Sequence, residues 1–238
     1  MKKKIVFFDA GETLIYRNPS LTELSFRFFR KNGININRKK LTAAFNSAAL
    51  EMKPVVRQAR MNDLQKWRVY IRRVFRKLGV RDTRLAENLK DKLKCGSSFR
   101  PHSDALSTVK VFRRKNIKTG IISNAPKELK EILVRTGLYR HFKPVIISEI
   151  AGYEKPDKRI FFKALKTAGV KAKDAVYVGD NYIADVEGAK KAGISPVWLV
   201  RKAKNSEFSF ASQVKDRKTP RIKNLKSLIK TAEKEGWI

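Results

Sequence analysis

The chain is short of cysteine, histidine and acidic side chains, and each shortage excludes something. Its 238 residues hold one Cys and two His. A single cysteine closes no internal disulfide, and with two histidines it cannot assemble the ligand sets usual for structural zinc. A reducing compartment, the cytoplasm, is therefore expected. No stretch approaches the roughly 18 uncharged apolar residues of a membrane-spanning helix. MKKKIVFF at the start resembles the basic region of an export signal only until the apolar run stops at Asp9. No membrane partner is expected. Acidic residues number 22 against 55 Lys plus Arg, which leaves a formal charge of +33. Even so, 42% hydrophobic and 10% aromatic residues are too many for a disordered polycation. The length permits one large domain or two small ones with a sizeable core.

What is present is a set of short apolar runs. Ile5 to Phe8, bounded by lysines and by Asp9-Ala10-Gly11, reads as a strand buried on both faces. Similar runs follow at Ile117 to Ile122, Pro144 to Ile147, Ala175 to Val178 and Pro196 to Val200. Between them lie stretches with helical spacing, such as Leu129, Ile132 and Leu133, or Ile160, Phe161, Ala164 and Leu165. Strands alternating with helices predict an α/β fold, a parallel sheet covered on both sides.

The first crossover breaks this rhythm, because more than 100 residues separate Asp9 from Ser123. Residues 20–94 read as almost entirely helical. Leu64, Trp67, Ile71, Val74, Phe75 and Leu78 form one apolar stripe, with breaks expected at Asn32-Gly33, Pro54 and Gly79. The expected organisation is a core of residues 1–14 and 101–238 with a helical cap of residues 15–100 inserted after the first strand. Residues 202–220 read as an irregular polar loop before a last helix near Leu225 to Lys234.

In an open parallel sheet, ligands bind beyond the carboxyl ends of the strands. Those ends carry Asp9-Ala10-Gly11-Glu12-Thr13, Ser123-Asn124-Ala125-Pro126 and Gly179-Asp180 followed by Asp185, with Lys155 arriving after the third run. Taken singly these are a turn aspartate, a helix cap, a turn lysine and helix-start carboxylates. Taken together they make a phosphoryl-transfer site. Paired carboxylates in a partly dry site repel unless a cation intervenes, and an all-oxygen donor set suits magnesium. Asp9 then serves as nucleophile with its second oxygen on the metal. Lys155 balances negative charge and Ser123 donates to a phosphoryl oxygen. Pro126 suits a helix first turn, which leaves the amides around Asn124 and Ala125 for an anion.

Four motifs carry a resemblance: FFDAGETL at 7–14, IISNA at 121–125, GYEKPD at 152–157 and VGDNYIADVEGAKKAG at 178–193. In this order they resemble the haloacid dehalogenase-like superfamily, in the subfamily with a helical cap after the first strand. The resemblance implies a three-layer Rossmann-like core with strand order 5-4-1-2-3. It also implies Asp9 as nucleophile, Ser123 and Asn124 as phosphate ligands and Lys155 as charge stabiliser. Mg2+ would be held by Asp9, Asp180 and the carbonyl of Gly11, with Asp185 in the outer metal shell. One position departs from the pattern. Phosphatases of this kind usually carry a second Asp two residues after the nucleophile, as acid and base, and here that residue is Gly11.

The function expected is a magnesium-dependent phosphatase that hydrolyses small phosphomonoesters or acyl phosphates through an aspartyl-phosphate. Two alternatives stay open: a weakly active or inactive basic binding module, and a 2-haloacid dehalogenase-type hydrolase, which also lacks that Asp. The charge bears on the first. Residues 15–100 carry +16 and the longer stretch 101–238 also carries +16, so the insert is the more basic part. Nucleic acid stays a candidate partner on charge alone, although no stacking platform or dedicated motif supports it. His102, His141 and Cys95 are assigned no role, and no sequence feature specifies the oligomeric state.

Overall fold

A computed structural model describes residues 2–58, 63–95, 98–201 and 216–238. The chain divides into two compact units, one built from residues 1–16 with most of 99–238 and the other from residues 17–98.

In chain order, β1 is Ile5–Phe8 and β2 is Ile15–Asn18, followed by α1 (Leu21–Lys31), α2 (Arg38–Gln58), α3 (Asp63–Leu78) and α4 (Thr83–Cys95). Next come β3 (Ser98–Pro101), α5 (Ala105–Arg114), β4 (Lys118–Ser123), α6 (Leu129–Arg135) and β5 (Val145–Ile147). The chain continues with α7 (Ser148–Ala151), α8 (Lys158–Ala168), β6 (Ala175–Gly179), α9 (Gly188–Lys191), β7 (Ser195–Leu199), β8 (Arg221–Ile222) and α10 (Lys226–Lys234).

The larger unit is a parallel six-stranded sheet in the order β5-β4-β1-β6-β7-β8. Read from the β7 side, five strands follow the expected 5-4-1-2-3 arrangement. The sixth, Arg221–Ile222, was not anticipated, because a two-residue strand leaves no periodic signal. β1 is central, with Ile5, Phe7 and Phe8 each at 0% exposure, since both sheet faces are covered. One face packs Val6, Phe8, Val176 and Val178 against Val109, Phe112 and Leu133. The other packs Phe7, Ile122 and Tyr177 against Ile160, Phe161 and Ala164. Each of the Val, Leu, Ile and Phe side chains among these contributes about 1.5–3 kcal/mol on burial. Gly120 keeps the β4 backbone close to this layer: a Cβ there would lie 2.7 Å from the Phe7 ring.

The smaller unit has its own core, in which Phe29, Leu41, Phe45, Ile71, Val74, Phe75, Leu89 and Leu93 are buried. The expected stripe on α3 is therefore its inward face; the Leu64 side chain lies outside the described residues. Ser20 caps α1 by accepting from the Glu23 amide at 3.2 Å. Contrary to expectation, α2 passes through Pro54 and ends at Gln58. A proline removes one i→i−4 bond, and the bonds on either side carry the helix across. Residues 202–215, expected as an irregular loop, lie outside the described residues. Among the described residues no helix is long and apolar enough to cross a membrane.

Candidate active site

The carboxyl ends of β1, β4 and β6 are neighbours in the sheet, so the residues that follow them meet. Asp9 comes directly after β1, and its amide donates to the Val178 carbonyl at 2.9 Å, which continues the ladder with β6. Ser123 closes β4 and donates its hydroxyl to Asp9 Oδ1 at 3.1 Å. Lys155 Nζ reaches the same oxygen at 2.7 Å and Asp185 Oδ1 at 2.6 Å. Its third proton goes to the Tyr177 hydroxyl at 2.7 Å. All three ammonium protons are thus used, and Lys155 is 5% exposed.

The backbone fixes these positions. Asn124 clamps the Lys155 main chain: its Nδ2 donates to Lys155 O at 2.9 Å, and Lys155 N donates to its Oδ1 at 2.8 Å. Both ends of the Asn124 side chain are thereby engaged, so its contact is one that positions Lys155. After β6 the chain takes a π-helical turn, Tyr182–Glu187, that carries Asp185. Asp185 Oδ2 accepts from the Asn181 amide at 2.9 Å. Gly179 makes room for this carboxylate, because a Cβ there would lie 2.7 Å from the Asp185 Cβ and closer still to its carboxyl group. Asp180 is held by Thr13, whose hydroxyl donates to Oδ1 at 3.2 Å, and by Trp198, whose indole donates to the Asp180 carbonyl at 2.9 Å. The Thr13 carbonyl is in turn held by Arg201, which also forms a two-pronged pair with Asp104.

Asp9, Asp180 and Asp185 offer carboxylate oxygens that all lie within 4.8 Å of one another. Three carboxylates and one lysine leave an excess of negative charge. Burial pushes the Asp9 carboxyl up to about 6, against the pull of Lys155 and with the Asp185 charge adding to it. Asp180 is raised well above the usual carboxylate range by burial and by the charges of Asp9, Asp185 and Glu12. For Lys155, burial favours the neutral amine, yet Asp185 and Asp9 outweigh it and hold the ammonium above its usual range. Among the described residues Asp180 Oδ2 has no hydrogen-bond partner. The donors are all oxygen, their charge is uncompensated and one oxygen is spare, a set that fits a hard divalent cation.

Two sequence readings need adjusting. Pro126 precedes a turn, and α6 begins only at Leu129, so no helix starts at Pro126. The Ala125 amide is not open to an anion either, since it donates to Ser148 Oγ at 3.0 Å. Gly11 stands where the sequence places it, in the loop after Asp9, and a Cβ added there meets nothing within 4 Å. Tyr177, Thr13 and Trp198 belong to the site and were not singled out from sequence. The one available signal was a tyrosine inside a fully buried apolar strand, where its hydroxyl must find a polar partner. That partner set is Lys155, the Ile122 carbonyl at 2.8 Å and Asp185 at 3.1 Å.

Residues 3–193 match the family described as haloacid dehalogenase-like hydrolase. The chain is 32% identical over 205 residues to haloacid dehalogenase-like hydrolase domain-containing protein 3 of Danio rerio, covering 83% of this chain and 85% of that protein. It is 28% identical over 235 residues to glyceraldehyde 3-phosphate phosphatase of Pyrococcus furiosus, covering 98% and 94%. Among solved structures, the Bacillus subtilis HAD-hydrolase YfnB bound to magnesium superposes with a TM-score of 0.76 at 16% identity, covering 98% of this chain and all of that one. The L-2-haloacid dehalogenase RSc1362 superposes with a TM-score of 0.70 at 15% identity, covering 98% and 100%. At such identities the structural likeness speaks for the fold alone.

Proposed function

Because this chain belongs to the haloacid dehalogenase-like hydrolases, we propose that it is a magnesium-dependent phosphatase for small phosphorylated metabolites, acting through an aspartyl-phosphate on Asp9. The observation that carries this reading is the Lys155 ammonium lying between Asp9 at 2.7 Å and Asp185 at 2.6 Å, with Ser123 on the same Asp9 oxygen. Relatives named glyceraldehyde 3-phosphate phosphatase and phosphoserine phosphatase support the substrate class.

In the proposed reaction an Asp9 carboxylate oxygen attacks phosphorus, and the bond to the leaving oxygen breaks with its electron pair. Ser123 and Lys155, both now on Asp9 Oδ1, are placed to donate to the oxygens of the transferred group as its charge develops. Water then attacks phosphorus, the bond to Asp9 breaks, and inorganic phosphate and the free carboxylate result. Asp9, Asp180 and the carbonyl of Gly11 would hold the metal, with Asp185 behind them. When bound, Mg2+ supplies positive charge that offsets the carboxylate excess and polarises the phosphoryl group.

No acid stands at position 11, so leaving groups that depart without a proton are favoured, acyl phosphates above alkyl esters. The Gly11→Asp variant has room for its side chain. It should raise kcat on an alkyl ester such as phosphoserine by about 10²-fold and change acetyl phosphate turnover little. Hydrolysis rates measured for both substrates, with magnesium and with a chelator, test the reading. Chelator-resistant halide release from a 2-haloacid would overturn it in favour of a dehalogenase, and phosphate release that survives chelation would overturn the magnesium requirement. No hydrolysis in any condition would favour a binding module.

Protons compete with the metal for these carboxylates. Folded Asp9 titrates near 6 and an ordinary Asp at 3.8, so between those values the metal-free folded state binds more protons than the unfolded state. The Asp9 contribution to stability is therefore largest at low pH and is lost as pH rises through about 6. Metal-free Asp9→Asn should melt above the wild type at neutral pH, and the difference should vanish near pH 4. Melting curves with a pH-independent difference would contradict this. Metal affinity should likewise fall as the pH drops below about 6.

Tyr177→Phe tests the third contact of Lys155. The ring keeps its packing against Phe161, 5.3 Å between centroids, so the fold persists while the ammonium loses an acceptor. A loss of one such bond predicts kcat lower by roughly tenfold with KM nearly unchanged. Steady-state kinetics check this directly.

A further inference from the structure

We infer that the sheet-bearing unit carries a second anion site, for the di- or triphosphate group of a nucleotide or of inorganic polyphosphate, in the pocket lined by Lys110, Arg113, Arg114, Arg140 and His141. Its volume, about 450 Å³, is within the range of small-ligand sites. It is formed where the end of α5 meets the 3₁₀ turn Tyr139–His141. The Thr119 hydroxyl donates to the His141 carbonyl and the Lys143 amide to the Thr119 carbonyl at 2.8 Å, which ties the 3₁₀ wall to the start of β4, and the Ile117 amide donates to the Phe112 carbonyl at 2.9 Å, which fixes the end of α5 beside it. Asp9 and Ser123 lie at the carboxyl ends of the strands, and the pocket at their amino ends. The six residues of β4 separate the two ends by roughly 20 Å at about 3.3 Å per residue. The pocket is thus not part of the site described above.

Among the described residues this pocket has no counter-charge, unlike three basic clusters of the helical unit that close around a glutamate. Glu23 takes Arg27 and Arg38, Glu51 takes Arg73, Arg76 and Lys77, and Glu87 takes Arg68, Arg72 and Lys90. Among the described residues, Lys110, Arg113, Arg114 and Arg140 meet no carboxylate, and the stretches 105–118 and 132–148 that build the pocket contain no Asp or Glu. Four like charges gathered in a concavity repel one another, and an anion in their midst relieves that repulsion.

The arginines are also prepared for such a ligand. Arg113 Nη1 donates to the Arg140 carbonyl at 3.2 Å, and Arg140 Nε to His141 Nε2 at 3.4 Å. Each guanidinium spends one N–H on the protein and keeps others for bidentate contact with phosphate oxygens. Burial and the surrounding Arg140, Arg113 and Lys110 hold the His141 ring neutral, so it accepts from Arg140 and adds no charge. Four positive charges around an open, solvent-exposed depression match a triphosphate better than a monoanion.

Calorimetric titration of tripolyphosphate, pyrophosphate and ATP into the full-length protein, in chelator at low salt, tests the proposal without reference to catalysis. Tripolyphosphate should bind, and Arg113→Ser combined with Arg140→Ser should weaken it at least tenfold. Arg72→Ser combined with Arg76→Ser removes the same charge from the helical unit and should change it less than twofold. Equal affinity for tripolyphosphate and ATP identifies the phosphate chain alone as the ligand, and tighter ATP binding identifies a nucleotide. Equal losses in the two double variants would reduce the effect to net charge, and no loss in either would place the anion elsewhere. Both results overturn the proposal, as does binding of a single-stranded oligonucleotide where tripolyphosphate does not bind.

Discussion

Asp9→Asn should lower kcat/KM for acetyl phosphate by at least about 10⁴-fold while the protein stays folded. The amide keeps the size of the carboxyl group and still accepts from Ser123 and Lys155, so the packing around β1 is preserved. What it loses is the nucleophile. An amide oxygen carries no formal charge and forms no phosphoryl ester that water can cleave back to the starting enzyme. The site has no obvious substitute: Asp185 is bonded to Lys155, Tyr177 and the Asn181 amide, and Asp180 is aligned by Thr13. Progress curves for the variant, with circular dichroism as a fold control, measure this. A loss of less than tenfold would mean that Asp9 is not the attacking group.

Lys155→Met should damage both the fold and the reaction. Lys155 and Asp185 are 5% and 1% exposed, and Asp9 is 7% exposed. Removing the ammonium leaves two carboxylates facing each other in a site that water reaches poorly. Breaking a buried ion pair by deleting one partner costs about 3–5 kcal/mol, and here one cation serves two anions. The metal-free variant should therefore unfold at a markedly lower denaturant concentration, and added magnesium should restore part of the loss because it supplies positive charge to the same carboxylates. Turnover in saturating magnesium should still fall by about 10³-fold, since the donor to the transferred group is gone. Denaturant titrations with and without magnesium separate the two effects. A variant as stable as the wild type in chelator would contradict the electrostatic account of the site.

The core strands and the aspartates were legible in the sequence because they leave strong local marks. Ile5 to Phe8 is apolar without a break since both faces of β1 are covered, and Asp9 ends that run where the sheet ends. Gly179-Asp180 marks the end of β6 for the same reason. What the sequence hides are contacts set by tertiary closure. Tyr177 sits between Val176 and Val178 and reads as one more apolar strand residue, yet its hydroxyl lies against Lys155, 22 positions earlier. Asn124 reads as a cap or an anion ligand, and its partner is the Lys155 backbone, 31 positions away. The π-helical turn that swings Asp185 toward Lys155 has no period by which to find it, since the spacing of Ile183, Val186 and Ala189 is compatible with a plain helix. Pro54 misled in the opposite direction: its local signal predicts a break, and the chain stays helical through it to Gln58.

The most direct measurement is to quench steady-state turnover of a ³²P-labelled acyl phosphate in acid and map the label on the protein. The account predicts an acid-stable, hydroxylamine-labile phosphoryl group on the peptide that contains Asp9, absent from Asp9→Asn. Turnover with no label on that peptide, or with label on another residue, would contradict it.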